Sequence, residues 1–177
     1  MLNLPFEPSQ VAAAAGPLVS VVLGTDGRPV AARAAGAIAA APARVWETLA
    51  DPTRFASKVP MIHSARVDGD RVRLDLKFRI ALFSVGFRLD TRMSRDEGRW
   101  LELRYVAGEP RDTSIRFDLT PAERPDRTVL YTSIAFDIMS LGWLVKAFLK
   151  HHPEIQFGVF PGTALSLLDA VRRSAEP

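Results

Sequence analysis

The chain has 177 residues, 47% of them hydrophobic and 24% charged, which suffices for one buried core and leaves little room for a second domain. That composition excludes disorder as the main state. The 23 basic and 20 acidic residues leave a formal charge of +3, a weak field rather than the basic stripe of a nucleic-acid binder, and the lack of cysteine excludes disulfides, thiolate metal ligands and a cysteine nucleophile.

No uninterrupted apolar run reaches the length of about 18 residues that a membrane-spanning helix needs. No lysine or arginine precedes Arg28, so the basic start of a signal peptide is missing and the expected location is cytoplasmic. The segment QVAAAAGP (10–17) reads as one or two helical turns or as an arm. LVSVVL (18–23) is a β-branched run before the turn GTDGRP, and a second extended run follows from Val30 to Ala40, although alanine is a poor strand former. Pro42 suits the first position of a helix that carries Val45, Trp46 and Leu49 on one face. Asp51-Pro52 ends that helix and opens a second short one, which Pro60 stops.

From here the hydrophobic period changes to two. Val72, Leu74, Leu76 and Phe78 face one way and charged residues face the other, the pattern of a strand with one solvated face. The Asp68-Gly69-Asp70 turn joins this strand to Ile62–Val67 as a hairpin. Phe83, Val85, Phe87 and Leu89 repeat the alternation, as do Leu101, Leu103 and Tyr105, then Ile115, Phe117 and Leu119, then Leu130, Thr132, Ile134, Phe136 and Ile138. Short polar turns separate these strands with no helix between them, so the sheet is an antiparallel meander. Ser140 caps a helix with Leu141, Leu144, Val145, Phe148, Leu149 and His152 on one broad face. Pro153 kinks or ends it, and Pro161 opens a final helix with Leu165, Leu168 and Val171 inward.

The segment GAIAAAPARVWETLADPTRFASKVPMI resembles the opening of SRPBCC proteins, also called START-like or birch-allergen-like. The matching features are Ala41-Pro42, Val45-Trp46, Leu49-Ala50-Asp51-Pro52 and Pro60, and the tail ALSLLDAVRRSAE resembles the family's long final helix. The resemblance covers residues 30–176. Pro153 and Pro161 depart from it, because they interrupt a helix that is usually more continuous. Residues 1–29 also stand outside the common pattern. It implies an α+β helix-grip fold: a curved antiparallel sheet of six to seven strands around a long, kinked C-terminal helix, with two short helices after the first strand. The expected organisation is an N-terminal extension at 1–29, an arm or extra strand, and a helix-grip domain at 30–177.

The same resemblance implies an internal cavity for a hydrophobic small molecule such as a lipid, quinone, sterol or polyketide. Its lining is expected from the inward side chains Leu74, Leu76, Phe78, Phe83, Val85, Phe87, Leu103, Tyr105, Phe117, Ile134, Phe136, Leu144 and Phe148. Alternation alone describes a filled core equally well. Catalytic constellations are scarce. His63, at the start of the first meander strand, and Tyr105 are the candidates for acid–base work in a polyketide cyclase or aromatase. The competing readings are a strand-end histidine and a tyrosine with a purely structural hydrogen bond. His151 and His152 point about 100° apart on a helix and do not share a metal, so no metal and no cofactor is expected. Trp143, Ala147, Lys146, Lys150 and His151 lie off the inner stripe of residues 141–152, a pattern that suits either transient contact with a membrane surface or an ordinary outer face. A protein-interaction module is the third reading.

Overall fold

The computed structural model describes residues 6–80 and 83–176. The side chains of residues 78–80 and 83 lie outside that description, and with them two of the expected ligand-binding side chains, Phe78 and Phe83. The elements are α1 (Pro8–Ala13), β1 (Leu18–Leu23), β2 (Pro29–Ile38), α2 (Pro42–Ala50), α3 (Thr53–Ala56), β3 (Ile62–Asp68), β4 (Arg71–Ile80), β5 (Phe83–Asp96), β6 (Trp100–Gly108), β7 (Arg111–Pro121), β8 (Thr128–Asp137), α4 (Gly142–His151) and α5 (Gln156–Ala175). Short 3-10 turns at Ile138–Ser140 and Pro153–Ile155 flank α4.

The strands form one antiparallel sheet of eight in the order β1-β2-β8-β7-β6-β5-β4-β3. Pairing of β2 with β8, from Ala31 opposite Ala135 to Ile38 opposite Thr128, brings the two ends of the domain together. The count exceeds the expected six to seven because β1 pairs along β2, with Leu18 opposite Ala35. The alternation read along β4 to β8 places Val72, Leu74, Leu76, Leu89, Leu101, Leu103, Ile115, Phe117, Ile134 and Phe136 in the core. The opposite face is charged and paired, with Arg73 to Asp90 at 2.7 Å and Arg116 bonded to Asp118 while its guanidinium stacks over Trp100.

Helix α5 covers the apolar face. It buries Phe160, Ala164, Leu167, Leu168, Val171 and Ala175. Strand β2 meets it with small residues, Ala32, Ala34 and Gly36, and a Cβ on Gly36 would stand 3.0 Å from Leu168 Cδ2. The alanine run that lowers β propensity is therefore what lets helix and strand approach. Helix α5 starts at Gln156, five residues before the start expected at Pro161, and runs through that proline. Proline removes the bond to the carbonyl four residues back, which here belongs to exposed Phe157. Tight burial of the neighbouring Phe160, stacked on Phe136 with centroids 4.5 Å apart, holds the turn in place. Pro153 does separate two helices, since α4 ends at His151 and a 3-10 turn follows.

The N-terminal segment packs on the other face. Helix α1 carries a reciprocal cap between Glu7 and Gln10. It buries Val11 against Ala35, Val129 and Tyr131, and the Tyr131 hydroxyl donates to the Phe6 carbonyl at 3.0 Å.

Among the described residues one buried side-chain polar atom has no partner. Thr132 projects from β8 beside Ala34 and Phe117, fully buried, and its hydroxyl makes no hydrogen bond. Two stability changes follow, both measurable by denaturant unfolding. Phe160→Ala should cost about 3–5 kcal/mol, because it removes a stacked ring from a packed site. Thr132→Val should stabilise by about 1 kcal/mol, because it removes an unsatisfied hydroxyl at nearly constant shape.

Candidate ligand cavity

A gap of about 30 Å³ remains between α5 and the sheet. Strands β3, β4, β5, β7 and β8 supply Ile62, Leu74, Leu76, Leu89, Ile115, Ile134 and Phe136, and α5 supplies Thr163 and Leu167. Val59 and Met61 close it from the segment after α3, Pro110 from the β6–β7 turn and Thr113 from the start of β7. A single water needs roughly 10–15 Å³, whereas drug-sized ligands occupy roughly 300–1,000 Å³. In this state the cavity is close to filled.

Its chemistry is apolar. The Thr113 hydroxyl donates to the Pro110 carbonyl at 2.7 Å, and the Thr163 hydroxyl donates to the Val159 carbonyl at 2.8 Å. Among the described residues no titratable side chain lines the space. The turn that brings Pro110 here depends on Gly108. Its φ is +94°, and a Cβ on it would collide with the Arg88 carbonyl, which also accepts from the Glu109 amide at 2.9 Å.

Of the expected lining residues, Leu74, Leu76, Ile134 and Phe136 meet at this cavity. Leu103 and Phe117 are buried in the core beyond it, where the Phe117 ring meets Phe55 edge-on at 5.6 Å. Val85 and Phe87 are half-buried on β5, and Phe87 lies opposite Leu76. Leu144 and Phe148 are half-buried on α4, with the Phe148 ring 5.1 Å from that of His152, and neither reaches the cavity. Alternation assigns a face to each residue, but it does not say where along that face helix and sheet diverge.

His63 and Tyr105 stand elsewhere. Ile62 pairs with Leu76 and Ser64 with Asp75, so His63 is the extra residue of a β-bulge. It is exposed in an open groove with Asp75, Lys77, Gly86 and Arg88 on the polar side of the sheet. Asp75 is held below the usual carboxylate range, chiefly by the Ser64 hydroxyl, which donates to it at 2.6 Å, and then by Arg88. Tyr105 is half-buried and donates its phenol to the Gly108 carbonyl at 3.3 Å. Among the described residues no three acidic or histidine side chains gather as a metal site, and no helix is long and apolar enough to cross a membrane.

The expected lining did not include Val59, Met61, Ile62, Leu89, Pro110, Thr113, Ile115, Thr163 and Leu167. Ile62 carried a signal as the apolar start of a strand, Leu89, Thr113 and Ile115 in the period-two alternation, and Thr163 and Leu167, four residues apart, on one helical stripe. The others come from connections whose direction no periodicity encodes.

A curved antiparallel sheet closed over a long C-terminal helix, with two short helices between its second and third strands, is a helix-grip fold. No protein-family profile matches the chain, and no curated protein matches its sequence. Solved structures do match. The TTHA0849 protein of Thermus thermophilus aligns with a TM-score of 0.60 at 16% identity, over 81% of this chain and 94% of its own. A START superfamily protein from Mycobacterium smegmatis aligns at 0.59 and 15%, over 82% and 97%. The Zhui aromatase/cyclase from Streptomyces sp. R1128 aligns at 0.53 and 17%, over 81% and 94%. The fold is thus the START-like fold of SRPBCC proteins, and at these identities the likeness concerns the fold.

Replacing Ser64 with alanine removes the largest cause of the Asp75 shift. The Asp75 pKa, read by NMR titration of its carboxyl carbon, should move up towards the ordinary carboxylate value.

Proposed function

We propose that this protein binds a hydrophobic small molecule, of the lipid, quinone, sterol or polyketide kind, between α5 and the sheet, and carries or presents it. The observation that supports this reading is the cavity lining. It is apolar, it carries no free polar group, and it lies where helix and sheet diverge. Burial of apolar area drives such binding at about 25 cal/mol per Å² before the costs of association.

The closed cavity is too small for such a ligand, so binding includes expansion. The lining dictates the route, because α5 faces the segment 59–62 and the β6–β7 turn across the gap. Separation of α5 from these two connections widens the cavity without unpairing any strand. The proposed setting is the cytoplasm. Loading occurs by transient contact of residues 141–152 with a membrane surface, for which α4 offers Trp143, 79% exposed, on the side away from buried Val145 and Leu149.

The likeness to an aromatase/cyclase favours a second reading, in which a polyketide is cyclised. That chemistry needs a group that moves protons beside the ligand. Neither His63 nor Tyr105 lines the cavity, which is why binding stands as the main proposal.

The experiment combines native mass spectrometry of the purified protein with displacement of an environment-sensitive hydrophobic dye. A co-purifying apolar ligand, or dye affinity reduced at least tenfold in Leu167→Phe with an unchanged circular dichroism spectrum, is the expected result. Equal dye affinity in the two proteins would place the ligand outside this cavity and overturn the proposal. His63→Ala should leave dye affinity unchanged.

A further inference from the structure

A second cleft, of about 340 Å³, opens where α4, the turn after it, the first residue of α5 and the β1–β2 turn meet. Its charged and polar walls are Arg28, Lys146, Lys150 and Gln156, over a floor that includes Met139 and Leu149. Three of these residues are cations, and no acidic side chain lines the space.

The cations are poorly compensated. Lys146 and Lys150 sit one turn apart on α4, a spacing at which like charges repel and weaken the helix. Neither forms an ion pair among the described residues. Glu154, in the adjoining turn, contacts His152 at 3.3 Å. Arg28 meets Asp26 at 3.6 Å, but both side chains are more than half exposed, so water and salt weaken that pair. The carbonyl end of α4 and the amide end of α5 adjoin here with opposite polarity, so the field of the cleft comes from its side chains.

Gln156 is a separate and sharper observation. It is 3% exposed, it lines the cleft, and its side-chain amide has no hydrogen-bond partner among the described residues. Its polar atoms are not sealed from the cleft, so an anionic oxygen there would accept its N–H. The rim is aromatic. Trp143 shares the solvent stripe of α4 with Ala147 and Lys150, and Phe157, 50% exposed, follows Gln156. Aromatic side chains beside lysine and arginine match the headgroup depth of a bilayer with an anionic surface.

We propose that this cleft holds the phosphate of an anionic lipid headgroup, with Lys146, Lys150 and Arg28 supplying charge and the Gln156 amide a directed hydrogen bond. The inference rests on the membrane-contact reading given above and names the chemistry that contact selects.

The test is co-sedimentation with vesicles of phosphatidylcholine, with or without an anionic fraction of phosphatidylglycerol. The intact chain should bind the anionic vesicles and not the neutral ones. Lys146→Gln with Lys150→Gln should weaken binding roughly tenfold or more, since each basic side chain near such a surface contributes about a fivefold factor. Gln156→Leu, which leaves net charge unchanged, should weaken it at least threefold, and Arg28→Gln, at an exposed site, should weaken it about fivefold. Thermal unfolding of each variant confirms the fold. Equal binding to both vesicles, lost on Trp143→Ala alone, would keep membrane contact and overturn the phosphate site. Loss in the lysine variant with no effect of Gln156→Leu would mean diffuse charge and also overturn it. Amide shifts at Gln156 that saturate with glycerol 3-phosphate, without any vesicle binding, would identify a soluble phosphate ester and overturn the lipid assignment. Ligand retention by native mass spectrometry is read separately, so failure of this site is distinct from failure of the cavity.

Discussion

Everything in this molecule depends on how closely α5 can lie against the sheet. Eight antiparallel strands of alternating pattern leave one apolar face that cannot stay in water. Burial of each large side chain on that face stabilises by about 1.5–3 kcal/mol, and only a helix with a matching stripe provides it. Close approach is set at β2, where Ala32, Ala34 and Gly36 offer almost no side chain and Leu168 rests on the strand. The Phe136–Phe160 stack then fixes the other end of the helix against β8.

That contact gradient accounts for the cavity. Where small residues face α5, helix and strand touch and no space is left. Towards β3 and β4 the facing residues are Leu74, Leu76 and Ile62, carried by strands that curve away, and the gap opens there. Because the threonine hydroxyls around it bond to backbone carbonyls, the gap offers an incoming molecule shape and apolar surface alone. Such a site discriminates by size far more than by functional group, since one methylene is worth only about 1–3 kcal/mol. The breadth of the proposed ligand class reflects that chemistry.

Much of the fold was legible because strict alternation has few solutions. Val72 to Phe78 and Leu130 to Phe136 can be buried on one side only as strands, and Pro42, Pro52 and Pro60 punctuate the two short helices. The site was legible only in part, and each failure has a cause. His63 escapes the period-two pattern because a bulge inserts it, and a bulge leaves no mark in side-chain type. Pro161 reads as a helix start, yet tertiary burial of Phe160 carries the helix through it. The alanines of β2 read as a weak strand because propensity ignores the helix that requires them. Pro110 reaches the cavity from a turn whose path is set by Gly108, where only glycine avoids the Arg88 carbonyl.

The two proposed sites share one helix. Gln156, in the basic cleft, and Thr163, in the cavity wall, are separated by about two turns, or roughly 10 Å of helix rise. Between them stand Phe160, the anchor of that segment in the core, and Pro161, which deletes one hydrogen bond from the helix. A displacement of α5 that enlarges the cavity therefore also shifts Gln156 relative to Lys146 and Lys150, which belong to a different helix. The cleft can keep its geometry only while the first two turns of α5 stay seated. Occupation of the cleft and expansion of the cavity, as proposed, thus act on the same helix.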